Sequence, residues 1–597
     1  MSIKELDEKD FDHFIGKGDS VVDFYADWCV APDTHIALTP NQTTPAVHLS
    51  VNSPIVSFQN GLTKDRVSYS RTSNKAGHCK KITSLSGRVI ETTDDHAFFT
   101  KRGWIAAEKL TPEDKVAILP LTNPVQFEGE EKILLQKNDL DHFKEEYKNL
   151  DKYIKELEDL ALLPLKKDNP KILILSRIIG ALFSDGSLYS SKKNNYREVS
   201  FTLGQQGDVD ALIHDLMYLG FNILHTNERT SNCEINGRKF SMHSFRVKCL
   251  STSLFLLLRA LGVPEGNKTN SSYLISRWIK DGEMAIKKEF LAAYLGGDGP
   301  KIQVKSLTRA EGGQYNHVNI NDIEFHKRTD LIENGLAFAE ELKEMLNEFG
   351  IVSKVFYETD SYVRRDKTRS AIVHISIPSN FNHAFILAQR IGYTYCWQKQ
   401  LSAMHSGEFL RMILTKREEW KELHRKALHL AEQGKTHQEI ADTLNIEKLL
   451  VYQWVTKKVN PTVAKHHILF DSWVKEATEG LKDGFLWLGV RQVEEAFLPE
   501  VQVITTEENH NFVANGFLVH NCGPCKMMEP HFKKAADKFT KIKFGKVNVD
   551  KESDLAGRFN VMSIPTTVFF KNGEMVDSHT GGMGFEAIER LVKDNFS

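Results

Sequence analysis

Residues 517–530 read FLVHNCGPCKMMEP. A buried-strand pattern ends at His520-Asn521, and Cys522-Gly523-Pro524-Cys525 then opens a run with helical apolar spacing, MMEPHFKKAADKF. A Cys-x-x-Cys pair at a helix start has a clear chemical use. Backbone N–H groups and the helix dipole favour the thiolate of the first cysteine. Taken alone, the pair is equally well a metal half-site or a chance occurrence. What decides the reading lies almost five hundred residues upstream, where residues 21–34 read VVDFYADWCVAPDT. A strand there stops at Trp28, and a second cysteine, Cys29, follows it at once.

The chain has 597 residues, 41% hydrophobic and 26% charged, which indicates several soluble domains. No apolar run of membrane-spanning length occurs. The acidic opening MSIKELDEKDFDHF lacks the apolar core of a secretory signal, so a cytoplasmic chain with no membrane partner is expected. Seven cysteines without framework spacing read as mostly reduced thiols. The formal net charge of −2 gives no global argument for nucleic acid, so any such surface must be local.

Residues 1–28 supply a helix and one strand, too little to fold alone. Residues 522–597 supply a helix, the strand-like IKFGKVNVD, a hairpin pattern turning at Asn572-Gly573, and a closing helix. Joined, the two pieces make 104 residues that run VVDFYADW-CGPCKMMEP and resemble thioredoxin throughout. The resemblance implies an α/β fold with Cys522 as nucleophile and Cys525 as resolving cysteine. It implies Asp23 as the buried carboxylate with Lys546 beside it, and Pro565 in SIPTT as a cis-proline facing the disulfide. Disulfide substrates and a thioredoxin reductase-like donor would be its partners.

The insert between the pieces, 29–521, has edges that resemble an intein. Its first block is CVAPDTHI, its second GRVIETTDDHAFFT, and its last ENHNFVANGFLVHN followed by Cys522. Cutting an amide without water needs a side-chain nucleophile directly after the scissile carbonyl. Cys29 can attack the Trp28 carbonyl, with His96 as acid near its ordinary pKa and Thr93 as orienter. Cys522 then takes over the thioester, Asn521 cyclises, and His520 assists the leaving group. His510 either helps that cyclisation or packs. Relatives often carry an aspartate where this chain has Val503, so His96 and its surroundings are expected to do more. The family implies an all-β splicing domain in two parts, 29–126 and 471–521, and no cofactor for splicing or for the thioredoxin.

Residues 127–170 read as a charged helical bridge. Within 171–405, RIIGALFSDGSLY and FLAAYLGGDGP resemble the LAGLIDADG motif of homing endonucleases. Small residues at 180, 181, 292 and 293 let two helices pack closely, so that Asp185 and Asp298 share one floor. The resemblance implies an α+β endonuclease that holds Mg2+ on those carboxylates, with Lys268 and Lys399 assisting cleavage of a double-stranded DNA target. Residues 406–470 resemble a helix-turn-helix unit, and twelve Lys and Arg against eight Asp and Glu over 395–470 suit phosphate contact modestly. Gln453, Lys457 and Lys458 would face DNA. The expected whole is a monomeric thioredoxin, residues 1–28 with 522–597, interrupted by a self-excising insert. The rival readings are a chain that cleaves without ligating and an unspliced DNA-binding protein.

Overall fold

The computed structural model describes the chain apart from residues 1–2, 26–28, 40–41, 74–76, 95, 124, 192, 194–195, 223–224, 236–237, 364–367, 462–467, 521–522, 550–551, 562–564 and 597. It divides into two compact units, Met1–Leu121 with Glu476–Ser597, and Thr122–Lys475.

The first unit contains two sheets. The smaller has five strands in the order Lys4–Glu5, Lys543–Asn548, Asp19–Tyr25, Thr566–Lys571 and Glu574–Thr580. The first three run parallel and the last two antiparallel. Its central strand comes from the front of the chain and both neighbours of that strand come from the rear, so neither end could build it alone. Alternation along SVVDFY explains the two faces. Val21 packs with Phe532, Phe569 and Ile588 beneath the helices Gly523–Lys538 and Phe585–Phe596. Val22 and Phe24 pack with Phe11, Ile15 and Leu555 on the other side, beneath Glu8–Ile15 and Ser553–Arg558. The hairpin turns where expected, with Asn572 at φ 51° and Gly573 at φ 89°, the left-handed pair that a tight hairpin requires.

The larger sheet has 14 strands, drawn from both sides of the second unit's sequence. Val116 pairs with Leu488, Cys79 with Ala496, Cys29 with Val503 and Phe98 with Val519. Between Cys29 and Leu121, the described non-strand elements are the short 3-10 turns Ala46–His48 and Ala107–Lys109.

The second unit is built around the helix pair Lys171–Phe183 and Met284–Asp298. Gly180 is the contact point: a Cβ there would overlap the carbonyl oxygen of Phe290. Each helix leads into an antiparallel sheet and a further helix. The first sheet has four strands with Gln206–Leu219, and the second has three strands, Ile323–Arg328, Arg369–Ser376 and Lys354–Val363, with Ile332–Glu348. Helix-then-sheet thus occurs twice. Beyond them, Trp397–Glu432, His437–Leu444 and Lys448–Val455 enclose a core of Ala427, Ile440, Ala441, Val451 and Trp454.

One expectation needs correcting. Residues 127–170 are not a helical bridge. They form a strand pair, a 3-10 segment and the helix Leu150–Asp159, and they bury Phe143, Tyr147, Ile154 and Leu157. Arg197 stacks over Tyr147 at 4.1 Å and Arg259 over Phe143 at 5.0 Å, which docks the segment on the first sheet's side of the unit. Its apolar stripe, not its charge, decides its place. Among the described residues no helix is long and apolar enough to cross a membrane.

Candidate functional site

Cys29 is buried in a two-residue strand whose neighbours are Val503 on one side and, through Val30, Thr92 on the other. Thr93 holds it reciprocally. The Cys29 N–H donates to Thr93 Oγ1 at 3.2 Å, and the Thr93 N–H donates to the Cys29 carbonyl at 3.1 Å. The same turn carries His96, whose N–H donates to the Thr93 carbonyl at 3.1 Å. The His96 ring lies edge-on to Phe98 and Phe512, and neither ring nitrogen has a hydrogen-bond partner among the described residues. Burial, reinforced by the charge of His520 and opposed by the Cys29 backbone, pushes this imidazole down to about 3. His96 is therefore neutral at rest, not an acid poised near neutrality, because enclosure by aromatic rings penalises the charged form.

Val503 lies directly opposite Cys29, so no carboxylate reaches the nucleophile from that position. Cys79 shares the cluster formed by Cys29, Ala31, Val501 and Val503. Burial, then the charges of Glu91, Asp94 and Glu495, push its thiol up to about 11, which leaves it an inert neighbour.

Elsewhere in the same sheet, His520 ends the strand Phe517–His520, pairs with Asn511, and meets the Trp104 ring edge-on at 4.9 Å. His510 stands in a left-handed conformation, φ 52°, immediately before that pair, and its Nδ1 is buried without a hydrogen-bond partner. Two residues that the sequence reading passed over hold the turn. Asn511 accepts from the Phe58 N–H at 2.8 Å and Ser57 Oγ at 3.0 Å, and donates to the carbonyls of Phe58 at 3.0 Å and Asn509 at 2.8 Å. Buried Asp65 accepts from the Asn509 N–H at 2.8 Å and the Glu508 N–H at 3.3 Å. A carboxylate at an inward position of a strand, in KDRV, was the available signal. Asn521 and Cys522 lie outside the described residues, and Cys525 falls in the first turn of Gly523–Lys538.

In the five-stranded sheet, Asp23 is fully buried and neither carboxylate oxygen has a partner among the described residues. Burial pushes it up to about 7, against the pull of Lys546 and with a further push from Glu529. Lys546 stands in register with Asp23, but its ammonium bonds Glu529 at 3.0 Å and sits over the Tyr25 ring at 4.8 Å. Pro565 is buried and its carbonyl accepts from the Gly581 N–H at 2.8 Å. The expected cis bond involves Ile564, outside the described residues.

In the second unit, Asp185 follows the first central helix and Asp298 ends the second. They are near neighbours: Gly297 leaves room that the Asp185 carboxylate occupies, within 2.9 Å of where a Cβ would stand. Burial, then the charge of Asp185, push Asp298 up to about 6, opposed by Lys268 and Lys399. The two lysines act alike. Lys268 Nζ donates to the carbonyls of Leu182, at 2.9 Å, and Ser184. Lys399 Nζ donates to those of Leu295, Gly296 and Gly297 at 3.1, 2.9 and 2.6 Å. Each therefore caps the last turn of one central helix, where carbonyls lack intrahelical donors. A third lysine was missed. Lys327 is fully buried, donates to the Ser271 carbonyl at 2.6 Å and the Lys268 carbonyl at 3.3 Å, and lies over Tyr273 at 3.9 Å. Two crowded carboxylates, one of them raised by the other, are an oxygen donor set that suits Mg2+ completed by phosphate and water. Among the described residues, no group of three or more His, Cys, Asp or Glu could hold a metal.

In the three-helix unit, Thr436 and Glu439 form a capping box, and Asn445 supplies the left-handed turn, φ 51°. Gln453 is exposed on the second short helix beside Leu449 and Tyr452. Lys457 and Lys458 lie past its end at Val455, so they flank the helix and do not sit on its face.

A family model described as intein splicing domain matches residues 54–521, and one described as thioredoxin matches 493–594. The second match begins upstream of Cys522, within strands of the large sheet. An RNA polymerase subunit, Rpo1N, of Methanocaldococcus jannaschii is 34% identical over 459 residues, covering 74% of this chain and 30% of that protein. The tRNA-splicing ligase RtcB of the same organism is 30% identical over 460 residues, covering 74% and 45%. The chain thus spans less than half the length of either. A thioredoxin of Mycoplasma genitalium is 42% identical over 84 residues, covering 14% of this chain and 72% of that protein.

Proposed function

The chain belongs to the intein splicing domain family and to the thioredoxin family, and from that premise we propose that it is a precursor that excises residues 29–521 and joins Trp28 to Cys522. One observation carries the reading: residues 4–25 and 543–580 make a single sheet, while Cys29 is clamped between two strands of another. Two relatives with unrelated names match the same share of this chain, as a segment independent of its host would.

The burial of His96 and the Thr93 contact support the following proton path. The Cys29 thiol transfers its proton toward neutral His96 as sulfur attacks the Trp28 carbonyl. The resulting imidazolium, weakly basic in its aromatic enclosure, is a strong acid beside the Cys29 nitrogen, which takes the proton as the C–N bond breaks. Thr93 Oγ1 fixes the direction of that N–H. The Cys522 thiol displaces Cys29 from the thioester. The Asn521 side-chain nitrogen then attacks its own carbonyl, releasing the Cys522 amine with His520 and His510 at hand. A final S-to-N shift restores a peptide bond, and Cys522 with Cys525 becomes the redox pair of a cytoplasmic disulfide reductase. Asp23, raised to about 7 by burial, would relay a proton there.

We further propose that the excised insert is a LAGLIDADG homing endonuclease acting on double-stranded DNA. Asp185 and Asp298 would hold Mg2+, which when bound would activate water at the scissile phosphate. Lys268 and Lys399 fix the helix ends that carry those carboxylates, and the helix-turn-helix unit would present Gln453 to the groove with Lys457 and Lys458 on phosphates.

Intact mass after incubation of the purified chain with a thiol tests the first reading. A 104-residue product together with a 493-residue insert is expected. Separate 28- and 76-residue ends would reduce it to cleavage alone, and full-length mass only would overturn it. Cleavage, by the excised insert, of an uninterrupted sequence coding for the 104-residue product, lost in Asp298→Asn, tests the second.

A further inference from the structure

Between Val501–Thr506 and Asn511–Ala514 the chain makes a four-residue turn, 507–510, with His510 at its end in a left-handed conformation. A β-carbon disfavours that conformation, so something must hold it. Asp65 does so from the strand Leu62–Ser73, far away in sequence. One carboxylate oxygen accepts from the Arg66 N–H at 2.7 Å and the Glu508 N–H at 3.3 Å. The other accepts from the Asn509 N–H at 2.8 Å and from Glu508 at 3.3 Å. The Glu507 N–H adds a bond to the Arg66 carbonyl at 3.0 Å. The fixed turn holds His510 with Nδ1 buried and without a hydrogen-bond partner among the described residues, next to the Asn511–His520 pair. Asp65 is itself buried and forms no salt bridge among the described residues, so its anion is directed at backbone donors.

We propose that Asp65 is a positioning residue for asparagine cyclisation: it locks the turn that carries His510, so that His510 can serve the reaction of Asn521. The role rests on the splicing reading and deepens it. Atoms balance without a co-reactant. The Asn521 side-chain nitrogen forms a bond to its own carbonyl carbon and gives up a proton, the bond to the Cys522 nitrogen breaks, and that nitrogen gains a proton. His510, held by Asp65, is the local acceptor. Asp65 touches neither reacting atom. An Asn at 65 keeps the size but has one acceptor oxygen, and its NH2 opposes a backbone N–H.

The test uses the full chain and reads the two ends separately. Thiol-induced cleavage at Trp28–Cys29 reports the first step, and the lifetime of the branched intermediate reports cyclisation. Asp65→Asn and Asp65→Ala should slow cyclisation between roughly tenfold and a hundredfold, the scale of a small misplacement of a reacting group. The first step should stay within about twofold, which also shows that the domain has folded. His510→Ala should give the same defect, and Asp65→Asn/His510→Ala should be no slower than His510→Ala alone. Additive losses, equal slowing of both steps, or full-rate cyclisation in either single variant would overturn the role of Asp65 while leaving splicing intact. A parent chain that never splices would instead overturn the proposed function, and this role with it.

Discussion

The candidate centres of the two units treat buried polar groups in opposite ways. In the first unit, His96, Asp23 and the Nδ1 of His510 are enclosed with hydrogen bonds unmade. In the second, the carbonyls that end the two central helices are each gripped by a lysine, and Lys327 in turn holds the loop that carries Lys268. An unpaired buried polar group costs stability, on the order of 1–3 kcal/mol, and persists where reaction needs it. A satisfied network rigidifies its site. The first centre is thus built for events in which protons must move, and the second for holding two carboxylates at fixed separation.

The largest expected break in that contrast is His96→Ala. Thiol cleavage at Trp28–Cys29 should fall by roughly two to four orders of magnitude, the range of a lost general acid–base group. The parent's acid side sharpens the point. With His96 neutral down to about 3, the first-step rate should show no inflection from it near 6.5. The sign for stability is also fixed. A folded pKa below the unfolded value means that the unfolded chain binds the extra proton first, so stability is whole above about 6.5 and falls as pH drops toward 3.

Asp23→Asn should do the reverse of most core substitutions. Asp23 is raised to about 7 by burial, so the folded state prefers its proton. Stability from this group is whole below about 4, declines as pH rises to about 7, and stays low above it. At pH 8 the variant of the 104-residue product should gain roughly 2–4 kcal/mol in urea unfolding, and at pH 4 nearly nothing. An equal gain at both pH values would mean that packing, not ionisation, sets the cost. In the second unit the analogous removal should hurt. Lys399→Met strips donors from the carbonyls of Leu295, Gly296 and Gly297, with an expected loss of about 1–3 kcal/mol in melts of a Cys29→Ala chain.

Which parts were readable from residues follows the same division. Joining VVDFYADW to CGPCKMMEP gave the small sheet, because strand alternation and an Asn-Gly turn are local signals. The helix pair was legible from its small residues, and Gly180 sits where they require. The bridge was misread because a high charge masks a narrow apolar stripe such as Tyr147, Ile154 and Leu157. The resting charge of His96 could not be read, since burial by Phe98 and Phe512 is a tertiary fact. Asp65, Trp104 and Lys327 were missed for a related reason: each acts on a residue far away in sequence, and nothing beside it in the chain marks the partner.

The smallest effect concerns Thr93, where the two strategies meet. Its Oγ1 accepts from the Cys29 N–H, so this nitrogen is satisfied at rest although, among the described residues, the His96 ring nitrogens are not. During the acyl shift that same nitrogen must become an amine, and a donor–acceptor contact at 3.2 Å can follow it without rearrangement. Thr93→Val keeps the shape and removes the acceptor, at a cost of about 1 kcal/mol, or roughly fivefold to tenfold in thiol cleavage at Trp28–Cys29. Thr93→Ser keeps the oxygen and should stay within about twofold. Equal rates for Val and the parent would place the whole control of that nitrogen on His96. A loss for Val as large as for His96→Ala would make the hydroxyl a direct participant and erase the distinction between an orienting contact and a proton carrier.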